Sequence, residues 1–284
     1  MIANLIQNGP AIMLLCAVIF AAMSGVVKLL SSSISPEQVI MARFLVGVVV
    51  LAAVSRFNVF NLRGRSLLLL LARGITGSIS GIAYYKAIGA IPLPNASVLL
   101  YTYPIFASIF AAISLREKLR NDEKIAIFLG FVGVYLIVNP NYQSVSLGEI
   151  YSLIAAVLAG WAMVFLRKLR TEQHDSSVIY FYFCLVGIPL ALPETLHTFV
   201  TPNIHQTILI SITAVASLIA QLLMTYAFRY CKAGQGSAIM MTQVFYTSLI
   251  GHFFFQDTLT GTFIFGGFLV LGCGLYLVGW RAQR

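Results

Sequence analysis

Few side chains in this sequence could do chemistry, and their placement suits binding better than bond-making. The nine acids are Glu37, Glu117, Asp122, Glu123, Glu149, Glu172, Asp175, Glu194 and Asp257. Each falls in a polar segment or at the end of an apolar run. No carboxylate is therefore expected near the middle of a run, and a carboxylate proton relay is not supported. Four basic residues do lie inside apolar runs: Lys28, Arg43, Arg73 and Lys86. A charge in hydrocarbon costs from ~2.5 kcal/mol upward, so each needs a partner, water or a route to the headgroups. Lys28 and Lys86, near run ends, can reach the headgroups along their own stems. Arg43 and Arg73 sit deeper. They could be structural, and Lys28, Arg43 and Lys86 could together attract a carboxylate or phosphate of a solute.

Polar and aromatic residues in mid-run form the second set: Tyr84, Tyr101, Tyr103, Trp161, Gln221, Tyr226 and Gln243. A glutamine there must find hydrogen-bond partners and so faces protein or water. Aromatic faces with a few polar groups suit a planar organic solute, or a cationic or sulfonium centre. Tyr and Trp also line membrane interfaces as belts, and both roles stay open for these residues. The candidate substrate-binding set is thus Tyr84, Tyr101, Tyr103, Trp161, Gln221, Tyr226 and Gln243, with Lys28 and Arg43. His252 stands alone and reads as a hydrogen-bonded structural residue. Cys16, Cys184, Cys231 and Cys273 show no metal-ligand spacing and read as small core residues. No nucleophile–base pair or phosphate loop is visible. The expectation is no catalytic residue, no metal and no cofactor.

The elements that must position these residues are set by solvent. The chain has 284 residues, of which 59% are hydrophobic and 10% charged. A soluble domain needs roughly a quarter charged residues to cover its surface. Apolar runs recur near the ~20 residues that cross a bilayer as a helix. They are continuous rather than alternating, which argues against a barrel. Ten spans result: about 10–30, 39–55, 67–88, 96–115, 125–139, 148–167, 177–194, 206–228, 237–255 and 260–280. Met1 to Pro10 has no Lys or Arg, so the first run reads as a helix rather than a signal peptide. Breaker residues mark the connections, among them Ser31 to Ser33, Asn58 to Gly64, Pro92, Pro94, Asn139 to Asn141, Pro202, Gly234 and Gly236.

The net charge of +9 does not indicate nucleic-acid binding, because the basic residues sit in short loops. Apart from the four named above, every Lys and Arg follows an even-numbered span. They are Arg56, Arg63 and Arg65; Arg116, Lys118, Arg120 and Lys124; Arg167, Lys168 and Arg170; Arg229 and Lys232; Arg281 and Arg284. The positive-inside rule then puts both termini in the cytoplasm of a multi-pass inner-membrane protein.

The second half echoes the first at an offset near 140. Val39-Ile40 with Phe44 resembles Val178-Ile179 with Phe183, and Ser97 matches Ser237. Glu117-Lys118-Leu119 matches Asp257-Thr258-Leu259, and Gln243 occupies the place of Tyr103. Five spans per half is an odd number, so the halves face opposite ways, as in many secondary transporters. The fold class expected is all-α: a polytopic membrane protein of ten transmembrane helices, built as two inverted five-helix repeats over 10–139 and 148–280. The pairs Gly77/Gly81, Gly130/Gly133 and Gly272/Gly274 are expected to let helix backbones approach closely.

Several residues carry a likeness to a known family. Arg73-Gly74, Ala83-Tyr84-Tyr85-Lys86-Ala87, Pro104, Glu117-Lys118-Leu119, Gly130 and Gly133 resemble an EamA repeat of the drug/metabolite transporter superfamily. The second copy is more divergent, with Val244 for Pro104 and Asp257 for Glu117. The resemblance implies ten helices, cytoplasmic termini and a central cavity lined mainly by spans 1, 3, 4, 6, 8 and 9. It implies a secondary transporter whose partners are a small-molecule substrate and the lipid bilayer, with homodimer formation left open. An amino acid or derivative such as S-adenosylmethionine ranks first as solute. Export of drugs or other metabolites is the alternative. A non-transport membrane enzyme or an assembly protein is the different-class alternative.

Overall fold

The structure is a computed structural model that describes residues 9–54, 66–115, 121–138, 146–172, 174–227 and 239–281. Among these every regular element is helical. We number them α1 (Gly9–Leu30), α2 (Pro36–Val54), α3 (Leu67–Ala90), α4 (Leu93–Leu100), α5 (Tyr103–Leu115), α6 (Asn121–Val138), α7 (Leu147–Thr171), α8 (Ser176–His197), α9 (Ile204–Ala227), α10 (Gln243–Phe255) and α11 (Gly261–Arg281). Seven spans are long and apolar enough to cross a membrane, one of them running across α4 and α5 over Leu93–Ala111. Lys124–Gly133 and Gly261–Cys273 are shorter apolar stretches within α6 and α11. Large apolar side chains project outward all around the bundle, including Leu68, Val54, Phe128, Phe254 and Phe268 at 67–80% exposure. A surface of that kind is stable in lipid and not in water.

Helix contacts define two ends. At one, Ser66 donates to the Glu172 carboxylate and Tyr276 donates to Asp122 at 2.8 Å. Lys124 and Lys168 lie on α6 and α7 near Asp122 and Glu172, so we call it the basic end. The opposite end is tied as well. Gln38 makes a two-way bond with Val200, Nε2 donating to its carbonyl at 2.9 Å and Oε1 accepting from its amide at 3.1 Å. Gln206 donates to Ser33 at 2.9 Å. Each of these ties joins one half of the chain to the other. Arg56, Arg63, Arg65, Arg116, Glu117, Lys118, Leu119, Arg120, Arg229, Cys231, Lys232, Ser237, Arg284 and the turns at 58–64, 139–141, 234 and 236 lie outside the described residues. So do the side chains of Glu123, Arg167, Arg170 and Gly274.

Packing follows an approximate two-fold relation between the halves. α2 packs on α8 and α6 on α11, each against its counterpart in the other half, and α4 of the fourth span packs on α10 of the ninth. The remaining large interfaces come in exchanged pairs: α3 with α7 and α9 with α1, then α3 with α8 and α9 with α2. Small residues make several approaches possible. At Gly133 an added Cβ would stand 2.8 Å from the Gly266 carbonyl oxygen, so α6 and α11 meet backbone to backbone. Gly160 of α7 lies as close to the backbone of Phe106 and Ala107 in α5. Gly272 differs from expectation: nothing lies within 4 Å of its would-be Cβ, because it borders a surface groove between α6 and α11.

Fourth and ninth spans that read as continuous runs are interrupted at matching places. α4 ends at Leu100 and α5 begins at Tyr103, while the helix at Ile239–Met240 gives way to a turn before α10. Pro104 accounts for the first break, since it cannot donate to the preceding turn and crowds it. The second half has Val244 there, yet breaks at the same step. Both breaks share a threonine contact. Thr102 Oγ1 donates to the Leu99 carbonyl at 2.7 Å, and Thr242 Oγ1 donates to the Ile239 carbonyl at 2.7 Å. Each hydroxyl shares its carbonyl with the threonine's own backbone N–H, which closes a tight three-residue turn at both places.

Candidate substrate site

The two breaks meet. Tyr101, in the first, donates its hydroxyl hydrogen to Gln243 Oε1, beside the second, at 2.5 Å. Both side chains are buried, and Tyr103 leans on Tyr101 with ring centres 5.7 Å apart. Tyr101 lies eight residues into its span, roughly 12 Å along a helix at 1.5 Å per residue, which is near mid-bilayer depth. Next to this junction Tyr84 of α3 bonds Ser97 of α4 at 3.0 Å and Ser24 of α1 at 3.3 Å. Thr247 of α10 is also buried, its hydroxyl 3.0 Å from the Gln243 and Val244 carbonyls. A seam of hydroxyls and one amide thus runs between α1, α3, α4 and α10, enclosed by apolar residues of the core. Such groups can exchange partners with a polar solute without leaving a charge stranded in lipid.

The seam unites Tyr84, Tyr101, Tyr103 and Gln243 of the candidates and adds Ser24, Ser97 and Thr247. Two of these three are isolated serines, which carry no periodic signal in sequence. Trp161 lies elsewhere, half-buried on α7 and stacked on Phe110 of α5 at 4.4 Å and Phe165 at 5.7 Å. Gln221 of α9 accepts from Arg43 Nη2 at 3.5 Å, the outer limit of a hydrogen bond, and stands apart from the seam. Tyr226 is half-buried near the end of α9.

Of the partner, water or headgroup route that each cation in an apolar run needs, both lysines have a partner. Lys86 pairs with Glu37 at 3.2 Å and Glu194 at 2.9 Å, bridging α3, α2 and α8 at the opposite end. Lys28 donates to the Ile91 carbonyl at 2.7 Å, between α3 and α4. Two residues on, Asp257 Oδ2 accepts from the Leu93 amide at 3.1 Å, capping the start of α4 from the other half. Gln256, in the left-handed conformation at φ 56°, turns the chain at the end of α10 and brings Asp257 there. His252 is exposed, its Nδ1 3.3 Å from the Asp257 carbonyl, in keeping with a structural role. The described cysteines, Cys16, Cys184 and Cys273, are buried and free, and no metal-binding cluster occurs among the described residues.

An all-helical bundle with a lipid-facing exterior, two corresponding halves and a polar seam where broken spans cross defines a multi-pass membrane transporter. The profile of the EamA-like transporter family matches residues 7–139 and again 146–280, and the chain belongs to that family. It is 27% identical to the pseudopaline exporter CntI of Pseudomonas aeruginosa, over 95% of this chain and 96% of the relative. An uncharacterized transporter of Helicobacter pylori is 25% identical over 96% and 95%. An S-adenosylmethionine uptake transporter of Rickettsia bellii is 21% identical over 79% and 73%. A solved crystal structure shares the fold at a TM-score of 0.65 and 17% identity, covering 99% of this chain and 98% of that one.

Proposed function

We propose that this protein is a secondary transporter that moves a small amino-acid-derived metabolite across the cytoplasmic membrane by alternating access. It carries out no bond chemistry. The supporting observation is the Tyr101–Gln243 bond, where the interrupted spans of the two halves touch at mid-depth. Opening one face requires the halves to part there, which frees a phenol and an amide for a solute. The relatives' names favour metabolites of this class: one exports pseudopaline and another takes up S-adenosylmethionine. With its basic segments on the cytoplasmic side, the chain has both termini in the cytoplasm. The acids described lie at helix ends, which favours facilitated diffusion or exchange over proton coupling.

Liposomes carrying the purified protein, screened with labelled amino-acid derivatives with and without a pH gradient, test this reading. Saturable flux lost in Gln243→Ala supports it. Saturable flux of every active solute that Tyr101→Ala and Gln243→Ala leave unchanged overturns it.

A further inference from the structure

Arg43 of α2 and Arg73 of α3 converge on one aromatic ring. Their guanidinium carbons lie 5.5 and 5.2 Å from the centre of Phe183 in α8. Both arginines are only 8% exposed. Arg73 Nε and Nη1 and Arg43 Nε have no hydrogen-bond acceptor, and the Tyr180 hydroxyl, which faces Arg43, Ser217 and Cys184, makes no well-formed hydrogen bond, nor does that of Ser217. Arg43 has Gln221 as a distant neutral acceptor. The described acid side chains all sit at helix ends, away from this cluster. Two guanidiniums kept in the bundle with no anion are an unusual expense, since buried cations are normally matched by a carboxylate or by backbone carbonyls. The fold accommodates them deliberately: Gly77 is bare where its Cβ would strike Arg73 Nη1.

We infer that the buried side-chain cluster between α2, α3, α8 and α9 is an oxyanion site, taking a carboxylate or phosphate between Arg43 and Arg73. Three guanidinium nitrogens and two hydroxyls supply the donors that an oxyanion's lone pairs require. Phe183, stacked on Tyr180 and edge-on to Phe44, forms its apolar floor. The site is distinct from the tyrosine seam, shares no side chain with it, and does not depend on which solute the seam carries. The oxyanion can come from a soluble carboxylate or phosphate, or from a phospholipid headgroup reached through the bilayer.

The test is the melting temperature of the purified full chain in nanodiscs. Inorganic phosphate and acetate are titrated against chloride at matched ionic strength in zwitterionic phosphatidylcholine discs. Phosphatidylglycerol discs form a second arm. A saturable rise of about 2 °C at ten times the Kd is expected in one arm at least. A response to the free anions identifies a soluble ligand, and a response to phosphatidylglycerol alone identifies a headgroup. Arg73→Gln should weaken the response at least tenfold. Should that variant fail to fold, Tyr180→Phe and Ser217→Ala keep both guanidiniums and should each weaken it about threefold. No saturable rise in either arm overturns the inference, as does a rise that the folded variants leave unchanged.

Discussion

Replacing Tyr101 with phenylalanine removes one oxygen and leaves the ring in place. The lost group is the donor to Gln243, and both residues are about 95% buried. The amide oxygen of Gln243 then has no water to turn to. An unmade hydrogen bond of this kind costs roughly 1–3 kcal/mol. Inside membranes the measured coupling is smaller, averaging about 0.6 kcal/mol and reaching about 1.7. The 2.5 Å length and the full burial place this pair in the upper part of that range. A cycle of Tyr101→Phe, Gln243→Leu and the double variant, each unfolded reversibly by denaturant in bicelles, should return a coupling of about 1 kcal/mol. Each single variant should lose about 1–2 kcal/mol, and the double about 1 kcal/mol less than their sum. A coupling below about 0.3 kcal/mol would mean that the two broken spans do not rely on each other, and the argument from their junction would fail.

Further perturbations probe the frame around the seam. Gly133→Ala should lower stability by about 1–3 kcal/mol, because its new methyl meets the Gly266 backbone, whereas Gly261→Ala should not destabilise; thermal unfolding in detergent compares the two. Lys86→Met strands Glu37, whose side chain is 7% exposed, and should cost about 2 kcal/mol, while Glu194→Gln, on a half-exposed partner, should cost under 1; denaturant titration separates them. Asp257→Ala removes the cap on α4 and should cost about 1 kcal/mol, with faster hydrogen exchange at Leu93 read by mass spectrometry.

Much of the bundle was legible because bilayer solvation acts on composition. The run from Leu67 was expected to end near 88 and ends at Ala90, and the run from about 177 becomes Ser176–His197. Pro92 and Pro94 marked the connection before the fourth span, expected from about 96; the helix begins earlier, at Leu93, because a proline in the first turn has no N–H to lose. The breaks at Thr102 and Thr242 were not legible. A threonine that returns its hydroxyl to a carbonyl three residues back looks the same in sequence as one that does not. Of the candidate site, Tyr84, Tyr101, Tyr103 and Gln243 stood out because polar groups in mid-span need partners. Which partners they take is a tertiary matter: Gln221 faces Arg43 and Trp161 stacks on Phe110, outcomes that depend on helices distant in sequence. The lysine partners were hidden for the same reason, since Glu194 lies more than a hundred residues from Lys86.

Side-resolved accessibility of the seam tests the central claim most directly. With Cys16, Cys184, Cys231 and Cys273 replaced, a single cysteine at Gln243 or Thr247 is exposed to a membrane-impermeant thiol reagent from either face of oriented vesicles. Alternating access predicts labelling from both faces, with a transported solute shifting the balance between them. A cysteine at either position that reacts from one face only, or from neither, whatever solute is present, would contradict the account.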